Sequence, residues 1–374
     1  MIYLDNAATG GFKPSIVLQT AQNVMRYLCA NPSRSSHRLA LTGAEIIYET
    51  RKRAATLFGA KKERIIFTKN CTEALNTAIF GINPMGGTVI TTAYEHNSVL
   101  RPLYSLKQRG KINLAIADTN NVKDLPKKIA SMLNEKVKLV VVNALSNVTG
   151  DVLPISEIGK ILKSANVPFI VDGAQAGGHI PLNVEKENIS CLCLAGHKGL
   201  YGIMGSGLLV LNSKTEISPL IYGGTGTESL NLEQPCCYPE KLESGTQNLI
   251  GIAALNEGLK YVERNQKSFA EILYKWTDWV GKELKKIKKV KVYSAPNPAG
   301  IVSFDIQGIP SGEVADILNG EFDMAVRSGL HCAPLIHKKL KTEENGLTRA
   351  SFSVQNTERE LAEFCRAVNV IASR

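Results

Sequence analysis

Residues 169–175 read FIVDGAQ, in which an unbroken apolar run at 169–171 is followed directly by Asp172. A short run without alternating polar positions is typical of a strand buried on both faces of a parallel sheet. Similar strands are predicted at 65–68, 88–91, 138–142, 189–194 and 208–211. Amphipathic segments at 72–80, 98–108 and 155–164 predict helices between them. Strands that alternate with helices indicate an α/β fold with a mainly parallel sheet covered on both sides.

The chain has 374 residues, which favours two domains. A long helix predicted at 252–284 leads out of the sheet region. Beyond it we predict strands at 301–304, 324–327 and 348–354, a helix at 313–318, and a last helix that opens with the capping-box pattern Thr357 to Glu360. We therefore expect a large domain of residues 15–255 and a smaller α+β domain made of 1–14 and 256–374.

The composition excludes several classes of protein. Apolar residues make up 44% and charged residues 21%, as in ordinary globular proteins. No run of 18 apolar residues predicts a membrane span, and the N-terminus does not resemble a signal peptide, so a cytoplasmic protein is expected. The net charge is +10, but the basic residues of 282–289 fit an exposed helix face. No aromatic residues accompany them to stack on bases, so nucleic-acid binding is not favoured.

The eight cysteines do not form a disulfide or zinc pattern. Cys191 and Cys193 fit alternate positions of a buried strand, and Cys236 and Cys237 follow a proline in a predicted loop. We expect these four to be structural thiols, and no metal site is predicted.

Two strand ends carry the strongest chemical signal. Asp172 ends the strand at 169–172, and Lys198 follows the strand at 189–194, 26 residues after Asp172. Ligands of parallel sheets bind beyond the carboxyl ends of the strands, so both residues are expected at one crevice. A lysine amine can form a Schiff base with a carbonyl cofactor, and an aspartate can keep a pyridine nitrogen protonated. The pair predicts a site for pyridoxal 5'-phosphate (PLP).

A helix start offers a place for a phosphate. Asn70, Cys71, Thr72 and Glu73 follow the strand at 65–68 and open the next helix. Asn70 is a good N-cap, and the free N–H groups of a first turn favour an anion. The same pattern also fits an ordinary helix start.

The other strong signal is the stretch 327–334, RSGLHCAP. It sets Cys332 in a glycine-containing loop beside His331 and near Arg327. Positive groups beside a cysteine lower the pKa of its thiol, and the thiolate is the form that attacks sulfur. Cys332 is thus a candidate nucleophile.

These residues belong to a wider set of motifs that runs nearly from end to end of the chain. The motifs are YLDNAAT at 3–9, TEA at 72–74, EHN at 95–97, SNVTG at 146–150, DGAQ at 172–175, GHK at 196–198, ESGT at 243–246 and RAS at 349–351. In order and spacing the chain resembles the cysteine desulfurases and selenocysteine lyases, class-V aminotransferases of PLP fold type I. The short loop around Cys332 resembles the class II, Suf-type branch.

The resemblance implies a seven-stranded sheet, a homodimer and a role for each motif residue. Lys198 would hold PLP, Asp172 its ring nitrogen and Gln175 its ring hydroxyl, with Asn147 nearby and His96 stacked on the ring as an acid or base. The implied phosphate ligands are Cys71 and Thr72 at the helix start, His197, and Thr246 of a second subunit. On the substrate side the resemblance implies Arg349 for the carboxylate and Asn6, Ala7 and residues 31–37, His37 included, as the lining.

Two positions depart from the family pattern. The family often has Ser or Thr where this chain has Ala195, and Thr or Ala where it has Cys71. Loss of a phosphate-binding hydroxyl removes one hydrogen bond to a charged group, about 1.5 to 3 kcal/mol, which predicts weaker PLP retention.

The implied reaction is conversion of L-cysteine to L-alanine, with the sulfur carried as a persulfide on Cys332 to an acceptor protein. The sequence leaves open a selenocysteine lyase, another PLP-dependent lyase or aminotransferase, and a non-enzymatic sulfur carrier or tRNA-binding partner. The pathway served, such as iron–sulfur cluster assembly or tRNA thiolation, is also open. Because its loop must reach the substrate, Cys332 is predicted to be mobile during turnover.

Overall fold

The structure is a computed structural model that describes residues 1–28, 30–32 and 36–374. Within the predicted substrate lining at 31–37, residues 33–35 lie outside the described residues, as does Cys29.

A seven-stranded sheet forms the centre of the larger part of the chain. Its strands are β2 (Ile65–Thr68), β3 (Thr88–Thr92), β4 (Asn113–Ala117), β5 (Val137–Asn143), β6 (Phe169–Asp172), β7 (Cys191–Ala195) and β8 (Gly207–Leu211). The order across the sheet is β2-β8-β7-β6-β5-β3-β4. Only β8 runs antiparallel to its neighbours, β2 and β7. The predicted mainly parallel seven-stranded α/β sheet is confirmed.

Helices cover both faces of this sheet, and one long helix leads away from it. They are α1 (Ser15–Tyr27), α2 (Arg38–Phe58), α3 (Cys71–Ile82), α4 (Asn97–Gln108), α5 (Leu125–Met132), α6 (Ile155–Ser164) and α7 (Leu249–Lys285), with 3-10 turns at Lys62–Arg64 and Val122–Asp124. Alternate residues of one strand enter different cores: Val140 and Val142 pack on one side, Leu139 and Val141 on the other. Two buried faces explain why β5 has no polar alternation.

The C-terminal part has its own sheet and core. β9 (Val290–Val292), β10 (Ile301–Ile306) and β12 (Thr348–Ser351) form an antiparallel sheet in the order β12-β10-β9. The N-terminal strand β1 (Ile2–Tyr3) pairs in parallel with β11 (Met324–Ala325). Helices α8 (Ser311–Phe322), α9 (Pro334–Leu340) and α10 (Glu358–Ala372) complete this part. Leu4 packs in its core with Phe304 and Phe364.

Some predicted boundaries are wrong. The strands predicted at 324–327 and 348–354 end earlier, at Ala325 and Ser351, and α9 was not predicted. Helix α9 has a proline at its first position, where a missing N–H and a fixed φ are favourable. The cap of α3 is present, since Asn70 Oδ1 accepts from the Glu73 N–H at 2.9 Å. The Glu73 carboxylate, however, accepts from the N–H of Lys69 instead of Asn70.

No helix in the described residues is both long enough and apolar enough to cross a membrane.

Candidate active site

A cavity of about 110 Å³ opens at the carboxyl ends of β5, β6 and β7 and at the starts of α3 and α4. Eight predicted site residues line it together: Cys71, Thr72, His96, Asn147, Asp172, Gln175, His197 and Lys198. They come from five separate segments of the chain. The rule that ligands bind beyond parallel strand ends predicted one crevice for Asp172 and Lys198, and the structure places both residues at this cavity.

Lys198 lies in the turn that follows β7. Its amine has no hydrogen bond or salt bridge to any described residue, although Asp172 acts on it through its charge. Burial lowers the pKa of Lys198, and Asp172 opposes that shift. The turn requires Gly196, because a Cβ there would lie 2.8 Å from the backbone oxygen of Ser206. The result is a buried amine biased toward its neutral, nucleophilic form.

Asp172 is fixed through one of its two oxygens. Its Oδ1 accepts from the N–H of Ala174 at 2.9 Å and from the Cys71 thiol at 3.4 Å. Burial, with a contribution from Asp172, raises the pKa of the Cys71 thiol well above its usual value, so the thiol keeps its proton and donates. Oδ2 accepts no hydrogen bond from the described part of the chain and is the oxygen left for a ligand.

His96 caps α4 with its own side chain. Its Nδ1 accepts from the Ser98 N–H at 3.0 Å and lies 2.8 Å from Ser98 Oγ. Burial lowers the pKa of His96. Ser98 Oγ also lies 3.1 Å from Thr72 Oγ1, so the first turns of α3 and α4 meet at the cavity.

His197 is the other cavity histidine. Its Nδ1 lies 3.0 Å from Thr9 Oγ1, and burial lowers the pKa of His197 to about 4. At neutral pH the ring is therefore neutral. Ala195, next to this turn, lines the same cavity and offers no hydroxyl.

Gln175 and Asn147 are tied to neighbouring loops. Gln175 Nε2 donates to the Ala7 carbonyl at 2.8 Å, and Asn147 Nδ2 donates to the His331 carbonyl at 2.8 Å. Asn147 Oδ1 is buried without a hydrogen-bond partner in the described chain. A buried acceptor without a partner, at a cavity wall, is suited to accept a hydrogen bond from a ligand.

Besides Cys332, five individually predicted residues do not line this cavity in the single chain. Asn6 uses its side chain on backbone groups, donating to Ser351 O at 2.9 Å and accepting from Gly11 N at 3.0 Å. The carbonyl of Ala7 accepts a hydrogen bond from the cavity residue Gln175. His37 caps α2, its Nδ1 accepting from Ala40 N at 3.4 Å.

The other two of these five are Arg349 and Thr246. Arg349 is 1% exposed and uses its fork on Asn147 O at 3.0 Å and on Asp5 Oδ1 at 2.9 Å. Burial lowers the pKa of Arg349, and Asp5 opposes the shift. Thr246 lines a separate cleft with Phe67 and Lys69.

The Cys332 loop is anchored to the cavity wall by its backbone. The Cys332 carbonyl accepts from the Asn97 N–H at 2.7 Å, and φ is positive at Gly329, His331 and Cys332. The thiol is exposed, and Arg327 Nη2 lies 3.9 Å from its sulfur.

The expectation that His331 adds positive charge beside this thiol is wrong. Its ring is buried and stacked on His337 with 5.8 Å between the centroids, and burial lowers the pKa of His331 well below its usual value. The backbone φ angle is positive at both His331 and Cys332. That the two residues are adjacent in the chain therefore does not predict that the His331 ring is buried and the Cys332 thiol exposed.

Sequence reasoning missed two groups near the cavity. Asp5 is the counter-ion of Arg349, and Glu95 is fully buried beside Asn143, which lines the cavity. Asp5 belongs to the motif YLDNAAT and Glu95 to the motif EHN, so their positions within these motifs were the available sequence signal.

Comparison with known proteins gives a consistent result. The family model described as Aminotransferase class-V matches residues 2–364. A protein of Pyrococcus abyssi named probable cysteine desulfurase is 33% identical over 97% of this chain and 92% of its own length. A protein of Methanothermobacter thermautotrophicus with the same name is 32% identical over 96% and 92%. The apo structure of the cysteine desulfurase from Thermococcus onnurineus NA1 superposes with a TM-score of 0.91 at 34% identity, covering 100% of this chain and 94% of that one.

Proposed function

The chain belongs to the class-V aminotransferase family and, within it, to the cysteine desulfurases, and from that premise we propose that it is a PLP-dependent enzyme that converts L-cysteine to L-alanine and takes up the sulfur on Cys332. The observation that carries the proposal is the link between the cavity and the cysteine loop. Asn147 and Asn97 hold the carbonyls of His331 and Cys332 at 2.8 and 2.7 Å. The wall of the Lys198 cavity therefore supports the loop of the candidate nucleophile.

The cavity residues fit PLP by their chemistry. Lys198 offers a buried amine. Asp172 offers an oxygen and Asn147 a buried acceptor, each of them without a hydrogen-bond donor among the described residues. Thr72 and the first turn of α3 offer donors for a phosphate, with His197 beside them. When bound, PLP would supply an electron-withdrawing ring that stabilises negative charge on the carbon next to the substrate amine.

The chain's own residues would do the remaining work. Lys198, whose pKa is lowered by burial, would accept and return a proton at the substrate carbon. His96, whose pKa is also lowered by burial, is a second group able to move a proton. We assign the substrate carboxylate to Arg349, whose counter-ion in the absence of substrate is Asp5.

Cys332 would carry out the sulfur transfer. Its thiolate attacks the sulfur of cysteine, so that an S–S bond forms and the C–S bond breaks. The electron pair of the C–S bond stays on carbon, which takes up a proton to become the methyl group of alanine. Arg327 Nη2, 3.9 Å from the sulfur, places positive charge beside the attacking atom. A thiol reductant or an acceptor protein then removes the outer sulfur of the persulfide.

The proposal includes a homodimer acting in the cytoplasm, with iron–sulfur cluster assembly as one destination of the sulfur. Thr246 supports the dimer, because it lies outside the cavity of its own chain. A phosphate contact from Thr246 would then require a second copy.

The test is formation of alanine and sulfide from L-cysteine with a thiol reductant. We expect wild type to make both, Lys198→Ala to lose the absorbance of bound PLP, and Cys332→Ala to keep that absorbance and make neither product. Cys236→Ala, which changes an exposed cysteine outside the cavity, is the matched control and should behave as wild type. Wild-type rates from Cys332→Ala would refute the sulfur-transfer role and favour a lyase on another substrate.

A further inference from the structure

Glu95 is a fully buried acid to which the proposed function gives no role. It lies between β3 and α4, directly before the cavity residue His96. No lysine or arginine of the described chain forms a salt bridge with it. Burying a carboxylate without a cation costs free energy. Whether Glu95 is a charged carboxylate or a neutral carboxylic acid is therefore a physical question.

Its two oxygens have different surroundings. Oε1 accepts from Thr92 Oγ1 at 2.6 Å and from the backbone N–H of Asn143 at 3.1 Å. Oε2 is buried and has no partner among the described atoms, and the same is true of Asn143 Oδ1. The amide of Asn143 is already used, since its Nδ2 donates to the Tyr94 carbonyl at 2.5 Å. Two unpartnered acceptors thus belong to two residues that are already in contact.

A proton on Glu95 would turn one of these two acceptors into a donor. A carboxylic acid donates through one oxygen and accepts through the other. With its proton on Oε2, Glu95 has a hydrogen-bond donor. Its neighbour Asn143 has an oxygen, Oδ1, without a partner among the described atoms. Burial, with a contribution from the nearby charge of Asp172, raises the pKa of Glu95 to about 8. Of the elements around Glu95, β6 contributes this charge, while β3 and β5 contribute the uncharged Thr92 and Asn143.

We propose that Glu95, as a neutral carboxylic acid, is a positioning residue that ties the turn carrying His96 to the end of β5. Asn143 lines the cavity and stands opposite Asp172 in the register of β5 and β6. A clamp between Glu95 and Asn143 therefore sets the relative positions of the segments that carry His96 and Asp172. Ionisation of Glu95 would remove the donor and loosen this wall.

The first measurement is thermal unfolding of the holoenzyme as a function of pH for wild type and Glu95→Gln. The folded pKa of Glu95 lies above its unfolded value, so its contribution to stability is fully present below about pH 4.5 and is lost as the pH rises through about 8. Glutamine keeps one donor and one acceptor but cannot ionise. Wild type should lose on the order of hundredfold in folding equilibrium constant, relative to Glu95→Gln, between pH 6 and 9.

Two further variants separate positioning from simple packing. Glu95→Asp keeps the acid but is one methylene shorter, so it should lose stability already at pH 6 where Glu95→Gln does not. Glu313→Gln changes an exposed glutamate of α8 and should leave the wild-type pH dependence of unfolding unchanged.

Infrared spectroscopy tests the proton directly and does not depend on any variant folding well. The wild-type spectrum at pH 6 should contain the C=O stretch of a buried carboxylic acid, which disappears at high pH and is absent from Glu95→Gln. Absence of that band in wild type at pH 6 would overturn the proposal. So would parallel pH profiles of unfolding for wild type and Glu95→Gln. Neither readout involves cysteine turnover, so failure of the desulfurase assignment would be seen separately.

Discussion

Cys71 illustrates what a single side chain can add to the site. The thiol donates to Asp172 Oδ1 at 3.4 Å, an interaction that neither Ala nor Val at this position can make. We predict that Cys71→Ala weakens PLP binding about fivefold, the equivalent of about 1 kcal/mol for one net hydrogen bond. Cys71→Ser retains a donor of similar size and should bind PLP nearly as well as wild type.

The measurement for Cys71 is titration of PLP into apoprotein of wild type and both variants, followed by cofactor absorbance. Equal dissociation constants for Cys71→Ala and wild type would show that Ala174 alone is enough to orient the carboxylate. A serine variant as weak as alanine would point to packing of the sulfur instead of its hydrogen bond.

At the same scale, the sequence predicted where some side chains of the site lie and did not predict the contacts or directions of others. Lys198 and Asp172 were predictable because strand ends converge whatever the side chains do. The partner of Arg349 was not, because Asp5 lies 344 residues away in the chain and reaches it only when β1 joins the C-terminal part. The direction of the His331 ring could not be predicted for a different reason: it depends on a positive φ, which no pattern of side chains indicates.

At the scale of elements, apolar runs located the central strands but not the edge strand. β4, with the sequence NLAIA, has few residues of high strand propensity and is partly exposed. It exists because β3 provides a parallel partner, a tertiary contact that local sequence does not encode. Helix α9 was missed for a similar reason: it is seven residues long, too short for a helical period to be visible.

Two helix caps allow stability and cofactor binding to be separated. Asn70 caps α3 at the cavity, and Thr357 caps α10 with a complete capping box away from it. Replacing either by alanine should lower the free energy of unfolding by about 1 kcal/mol. Only Asn70→Ala should also weaken PLP binding, because it disturbs the helix start proposed for the phosphate.

Chemical denaturation of the apoproteins and PLP titration of the same samples measure both effects. Thr357→Ala serves as the matched control for a lost cap. If the two variants lose equal stability and bind PLP equally, the start of α3 is an ordinary helix terminus and the phosphate is held elsewhere.

At the scale of the whole molecule, the N-terminal segment belongs with the C-terminal core. Strand β1 pairs with β11, and Leu4 packs with Phe304 and Phe364. This supports a small domain of 1–14 and 256–374, which we keep as a proposal because α7 continues without a break across residue 255. The arrangement explains how Asp5 and Arg349 meet beside the loop of the large sheet that holds Asn147.

Exposed apolar side chains indicate where a subunit interface lies. Leu230 and Leu232 are fully exposed in the single chain, in the same segment as the exposed Tyr222 and shortly before Thr246. Apolar side chains gathered in this way mark an interaction surface. We predict that Leu230→Glu combined with Leu232→Glu weakens a dimer by about 3 kcal/mol, or roughly hundredfold, through lost apolar burial. Because Thr246 would then leave the neighbouring cavity, PLP affinity should fall together with dimer content.

Sedimentation of wild type and the double variant over a range of concentrations measures the association, and PLP titration at the same concentrations measures the coupling. Val370→Glu, on an exposed position of α10, is the matched control for a new surface charge. A double variant that stays dimeric would place the interface elsewhere. A monomeric variant with unchanged PLP affinity would keep the interface but remove Thr246 from the phosphate site, since a contact supplied by the partner cannot survive its loss.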